Sequence, residues 1–153
     1  MNRDEAMRVN RALTKTGKLY RAVRARKLAA LDLHPGQDVL LWLLAEEEDG
    51  MTVSQLAARV GVEPPTATRS LARMEKRGLF RREPVPADRR QVRIVLTEEA
   101  RRLLPAIEAA WVELADEVVG DLPPEQRAAV VAALEHANDR MRAQVGAAEP
   151  AED

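Results

Sequence analysis

Apolar residues recur at helical steps along most of this chain and at strand steps in one short stretch. Between residues 4 and 31, Val9, Leu13, Tyr20, Val23 and Leu31 fall at roughly helical spacing among many Arg and Lys, which predicts one long amphipathic helix. Nothing adjacent in sequence can cover its apolar stripe. Leu33-His34-Pro35-Gly36 ends it, because proline and glycine together punctuate. From Gln37 to Glu48 the residues read as a second helix, very apolar over Val39 to Leu44, with Asp49-Gly50 as its turn.

Residues 52–97 read as helix, turn, helix and hairpin. Thr52 and Gln55, three positions apart, suit a reciprocal cap at the start of the first helix. Gly61 supplies its stop. After Val62 a second helix opens, with Glu63 as a cap and Pro64 and Pro65 in the first turn, where a missing N–H costs nothing. Gly78 ends it. Ala67, Leu71 and Met74 give this helix one apolar face, and Thr66, Thr68, Arg69, Arg73, Lys76 and Arg77 give it a polar and basic one.

Leu79-Phe80-Arg81-Arg82 and Gln91 to Leu96 flank a turn rich in proline and charge, Glu83 to Arg90. Val92, Ile94 and Leu96 alternate with more polar neighbours, the period of a half-buried strand. The expectation is a two-stranded wing with Asp88, Arg89 and Arg90 at its tip.

Beyond the wing, Thr97 caps a helix whose first turn is acidic, as the helix dipole favours. Leu103, Leu104, Ile107, Trp111, Leu114 and Val118 form its apolar face, and Pro105 within it predicts a bend or a break in the hydrogen-bond ladder. A last helix starts near Pro123 or Pro124, with Val130, Leu134, Ala137, Met141 and Val145 as one stripe. Residues 146–153, small and acidic, read as a disordered tail. The layout is therefore mostly α with a small β-hairpin. Residues 37–97 form a winged helix-turn-helix domain, while 1–36 and 98–145 supply helices whose stripes pack on one another and on a second copy in a two-fold dimer.

Composition narrows the function. A chain of 153 residues holds one domain with a real core, or a small domain plus an oligomerisation element, and 46% apolar content argues against disorder. No apolar run nears the length of about 20 residues that a membrane helix needs, and the N-terminus lacks the core of a secretory signal, so a cytoplasmic location is expected. With no cysteine there is no disulfide, thiol redox sensor or thiolate metal site. Two histidines, 34 and 136, do not make a metal cluster, and no cofactor motif is present. The near-neutral total charge of -1 hides a partition: residues 52–97 carry ten basic against four acidic residues, residues 98–153 five against thirteen. A basic lobe fixed to an acidic one suits a DNA-binding protein. No catalytic constellation is recognisable: there is no Gly-rich phosphate loop, no H-E-x-x-H motif and no histidine beside a Ser-Asp pair, which argues against an enzyme.

Four pieces, in order, carry a family resemblance: LDLHPGQDVLLWLL, SQLAARVGV, PPTATRSLARMEKRGLFRR and the D-x-R wing ADRRQVRIVLTEEA. Residues 31–104, and more loosely the whole chain, resemble the MarR family of bacterial winged helix-turn-helix transcriptional regulators. The resemblance implies a homodimer formed by the terminal helices. It also implies a repressor released by a small aromatic or phenolic ligand held between those helices and the winged domain. A constitutive or architectural DNA-binding protein of the same fold, without an effector, is the alternative.

The candidate DNA-binding residues follow from chemistry. The start of a recognition helix reaches base edges in the major groove, where Arg69 can pair with guanine and Thr66 and Thr68 with bases or phosphates. Arg73 extends that face. Pro65 stands either against the phosphate backbone or simply at the helix start. Arg90, and less so Arg89, suit the narrow minor groove, with Asp88 orienting a guanidinium. Arg81, Arg82 and Arg93 suit phosphates, which position without reading sequence. By the family resemblance, Tyr20, His34, Trp42 and Trp111 are candidate ligand-lining residues. Read without it, the three aromatics belong to the core or an interface and His34 to a turn.

Overall fold

The structure is a computed structural model that describes residues 1–62, 64–85 and 88–146, excluding the side chains at 64, 88–90, 145 and 146. Helix α1 runs Arg3–Ala29, α2 Gln37–Ala45, α3 Val53–Val60 and α4 Pro64–Lys76. Strand β1 is Met51–Thr52, β2 Phe80–Val85 and β3 Asp88–Leu96, followed by α5 Glu98–Val119 and α6 Pro124–Gly146. The chain divides into two compact units, Met1–Leu114 and Ala115–Asp153.

In the first unit, Leu28 of α1, Leu40, Leu41 and Leu44 of α2, Leu56 of α3, Leu71 and Met74 of α4, Ile94 of β3 and Ile107 of α5 belong to one buried cluster. Fully burying each such side chain is worth about 1.5–3 kcal/mol relative to exposure. The base of α1 and the start of α5 thus share a core with the winged helix rather than standing outside residues 37–97.

Local signals end the helices as their chemistry requires. The Thr52 hydroxyl accepts from the Gln55 amide at 3.2 Å, and Gln55 Oε1 accepts from the Thr52 amide at 2.8 Å, completing the capping box. Gly61 then takes the left-handed conformation (φ 74°) that closes α3 without a Cβ penalty. Helix α1 stops sooner than Leu31. Asp32 adopts φ 53°, and the Leu33 amide donates back to the Leu28 carbonyl at 3.0 Å. Helix α2 likewise ends at Ala45, short of Glu48. Thr97 caps α5 through a 3.3 Å bond from the Ala100 amide, while its hydroxyl donates to the Gly78 carbonyl at 2.7 Å.

Three features depart from the sequence expectation. The sheet has three strands in the order β1-β3-β2, because Met51 and Thr52 pair antiparallel with Ile94 and Arg93. Gly50 allows that approach: a Cβ there would fall on the Ile94 carbonyl oxygen. The wing's ladder reaches Val85 and resumes at Asp88, so Asp88 to Arg90 lie in β3 rather than in a loop. A register irregularity at Pro84/Val85 accommodates a proline on an edge strand, where no ladder N–H is needed. Third, α5 runs through Pro105 without a break. Proline removes one hydrogen bond from the ladder, while Ile107 and Ala100 on either side stay fully buried.

In the second unit, Arg127 Nη1 donates to the Gly120 and Leu122 carbonyls at 3.2 and 3.1 Å, closing the turn before α6. Val131, Leu134 and Met141 of α6 remain exposed. Glu63 and residues 147–153, expected as a cap and as a disordered tail, lie outside the described residues.

Candidate nucleic-acid interface

Helix α4 presents two unlike faces. Ala67, Leu71 and Met74 are 1%, 0% and 0% exposed, so one side is sealed into the core. Pro65, Thr66, Thr68, Arg69, Arg73 and Lys76 are exposed on the rest of the helix. Arg69 and Arg73 make no ion pair with any described residue, which leaves their guanidiniums open to an anionic partner.

Arg77, predicted on the same face, is turned to another use. It donates to the Asp32 carbonyl and, at 3.5 Å, to that of Leu31, with Nε 3.4 Å from the Asp32 carboxylate. The end of α4 is thereby pinned to the turn after α1.

The wing's cations are also engaged. Arg82 meets Glu75 of α4 through Nε at 3.0 Å and Nη2 at 3.3 Å. Arg81 Nε donates to Glu83 at 2.6 Å, and Arg93 Nη2 to the same carboxylate at 3.0 Å, with Asp49 3.4 Å from Arg93 Nη1. Hydrogen bonding from Arg81, then from Arg93, holds the Glu83 carboxyl below its ordinary pKa. Arg93 is 23% exposed against 58% for Arg81, so Arg81 is the better placed of the two to meet a phosphate. The side chains of Asp88, Arg89 and Arg90 lie outside the described residues; the backbone places all three at the start of β3.

The four candidate ligand residues separate into two pairs. Trp42 and Trp111 meet, ring centroids 5.1 Å apart and tilted by 52°. Trp42 also lines a concavity of about 400 Å³ with Ala45, Glu46, Arg101, Leu104, Pro105 and Glu108. Tyr20 and His34 are exposed and do not line it. His34 instead exchanges backbone bonds with Gln37, whose Oε1 accepts from the His34 amide at 2.9 Å, as a turn residue would.

Sequence reasoning missed Asp38. Its carboxylate is wholly buried, accepting from Gly36 N on Oδ1 and from Arg24 and Trp111 on Oδ2. The available signal was one acid at the head of a very apolar helix.

The model of the MarR family matches residues 33–92, which span α2 to the wing. Residues 33–92 carry a MarR-family domain. The chain's fold is that of the solved MarR-family transcriptional regulators it resembles. Among solved structures, this chain is similar to AbsC, a MarR family transcriptional regulator from Streptomyces coelicolor, with 24% identity and a TM-score of 0.82, covering 94% of this chain and 98% of AbsC. It is 25% identical to the transcriptional repressor CouR bound to a 23-mer DNA duplex, with a TM-score of 0.76, covering 83% of this chain and 89% of that one. BpsR of Bordetella bronchiseptica, whose DNA binding is regulated by 6-hydroxynicotinic acid, is 23% identical with a TM-score of 0.78, covering 86% and 93%.

Proposed function

We propose that this protein is a MarR-family regulator, a cytoplasmic homodimeric repressor that binds an inverted-repeat duplex through α4 and the wing and is released by a small aromatic or phenolic molecule. The carrying observation is α4 itself, sealed on one side by Leu71 and Met74 and open on the other at Arg69 and Arg73. In this reading Arg69 reads a base in the major groove, with Thr66 and Thr68 on adjoining bases or phosphates. Pro65, Arg73 and Arg81 meet the backbone, and Arg90, with Arg89, enters the minor groove beside an orienting Asp88.

Unburied stripes support the dimer. Val9, Leu13 and Tyr20 of α1, and Leu134 and Met141 of α6, are each 44–49% exposed in the single chain. A second copy related by a two-fold axis would cover such stripes. Two copies of α4 then call for half-sites about one helical turn apart, or a multiple of that. CouR on its duplex supports the DNA partner, and BpsR with 6-hydroxynicotinic acid supports an aromatic effector. The concavity beside Trp42 is the place we assign to such a molecule.

The test is anisotropy titration against the DNA flanking the protein's own gene and a panel of other promoters. Unrelated competitor is included, at two salt concentrations, with and without salicylate. Tight, salt-dependent, competitor-resistant binding that salicylate weakens is the expected result. Specific binding indifferent to salicylate and to a panel of aromatic acids would favour a constitutive binder. No specific binding to any of the promoters would overturn the regulator.

A further inference from the structure

The Asp38 carboxylate gathers donors from three separate parts of the chain. Oδ1 accepts from the Gly36 amide at 2.9 Å, the local bond of a carboxylate in the first turn of α2. Oδ2 serves distant elements only: Arg24 Nε at 2.9 Å and Nη2 at 2.6 Å from α1, and Trp111 Nε1 at 2.8 Å from α5. The carboxylate is 0% exposed and the Arg24 side chain 19%.

Stability alone does not account for a charge in this place. Removing a carboxylate from water costs several kcal/mol, and apolar residues of like volume often hold helices together as well or better. What a guanidinium fork and an indole N–H add is direction. Two bonds from Arg24 and one from Trp111 to a single oxygen constrain the angles at which α1 and α5 cross α2.

That angle has a consequence for DNA. The outer part of α1 carries the open stripe of Val9, Leu13 and Tyr20, and its base is held at Leu28 in the core shared with α4. We propose that Asp38 is a positioning residue, which through Arg24 and Trp111 fixes the direction in which α1 leaves the winged-helix core and so sets the separation of the two recognition helices. The inference rests on the dimeric DNA-binding reading above. It adds that spacing discrimination, as distinct from base discrimination, resides in a group that never touches DNA.

The experiment uses the full chain. Wild type first selects its preferred duplex from a randomised pool. Affinities are then measured for that duplex with one or two base pairs inserted or removed at its centre. Wild type is expected to lose about tenfold or more for a one-base-pair change, comparable to the cost of a mismatch. Three variants are compared: Asp38→Asn; Arg24→Lys, which keeps the charge but loses the fork; and Trp111→Phe, which keeps a ring against Trp42 but loses the N–H. The expected result is a spacing penalty flattened to about threefold or less, with base preference within each half-site unchanged.

Affinity that falls equally at every spacing, or does not change, overturns the positioning role. If Asp38→Asn does not melt cooperatively, the decision passes to Arg24→Lys and Trp111→Phe, which both leave the carboxylate with at least one long-range donor. Wild type that selects no duplex overturns the DNA-binding reading instead. A selected duplex without a two-fold repeat overturns the spacing inference while sparing DNA binding.

Discussion

Arg82 of the wing grips Glu75 of α4 with two hydrogen bonds, Nε to Oε1 at 3.0 Å and Nη2 to Oε2 at 3.3 Å. A cation that sequence alone assigns to phosphate is, in the free protein, spent on orienting the wing against α4. Both side chains are about 40% exposed, so the pair is screened and stabilises the fold by no more than about 1 kcal/mol. Glu75→Gln is therefore expected to leave the urea midpoint almost unchanged. It would free Arg82 for DNA, steepening the salt dependence of binding by up to about one unit of log K against log salt. An unchanged slope would mean that Arg82 already leaves Glu75 for phosphate in the complex.

Arg69 and Arg90 are expected to fail differently. Arg69→Ala should lower discrimination at one base position by about 1–3 kcal/mol; loss confined to non-specific affinity would rule out base reading. Arg90→Ala should weaken binding chiefly to duplexes with narrow A·T-rich minor grooves. Equal loss on all sequences would make Arg90 a phosphate contact.

The two faces of α4 make a stability contrast. Leu71 is fully buried, and Leu71→Ala should cost about 2–5 kcal/mol in urea unfolding. Arg73, exposed and unpaired among the described residues, should cost less than about 0.5 kcal/mol when replaced by Ala. Equal costs would mean that the face assignment is wrong.

Glu83 gives the wing a pH dependence. Its folded pKa is depressed by Arg81 and then Arg93, so its contribution is fully present above the unfolded-state value and is lost as pH falls through the lower folded-state value. Glu83→Gln should thus exchange wing amides faster than wild type near neutrality, and the two should converge under acid. A difference that persists in acid would trace to packing rather than charge.

The parts of this fold legible in sequence are those whose partners are close along the chain. Thr52 and Gln55 are three residues apart, and the box they form needs only the first turn of α3. Ala67, Leu71 and Met74 mark the buried face of α4 by spacing alone. Strand β1 was not legible, because two residues become a strand only when Ile94 and Arg93 come beside them. Of the bend or break expected at Pro105, the break did not occur: local preference argued for it, but the helix continues through the proline with Ala100 and Ile107 buried on either side.

The amino-acid sequence by itself determined the order of the helices and the wing, the capping and stopping of α3 and the two-sided character of α4, since each depends on backbone preferences and helical period over a few residues. Only the tertiary structure decided which cations are free and which are engaged. Arg77 went to the Leu31 and Asp32 carbonyls, Arg82 to Glu75, and Arg24 to a carboxylate 14 positions away, with Trp111 joining it from 73 positions away. An arginine's reach and charge are the same in every sequence context. What it does is set by which acceptor the folded chain brings within 3 Å or so, and no local pattern encodes that.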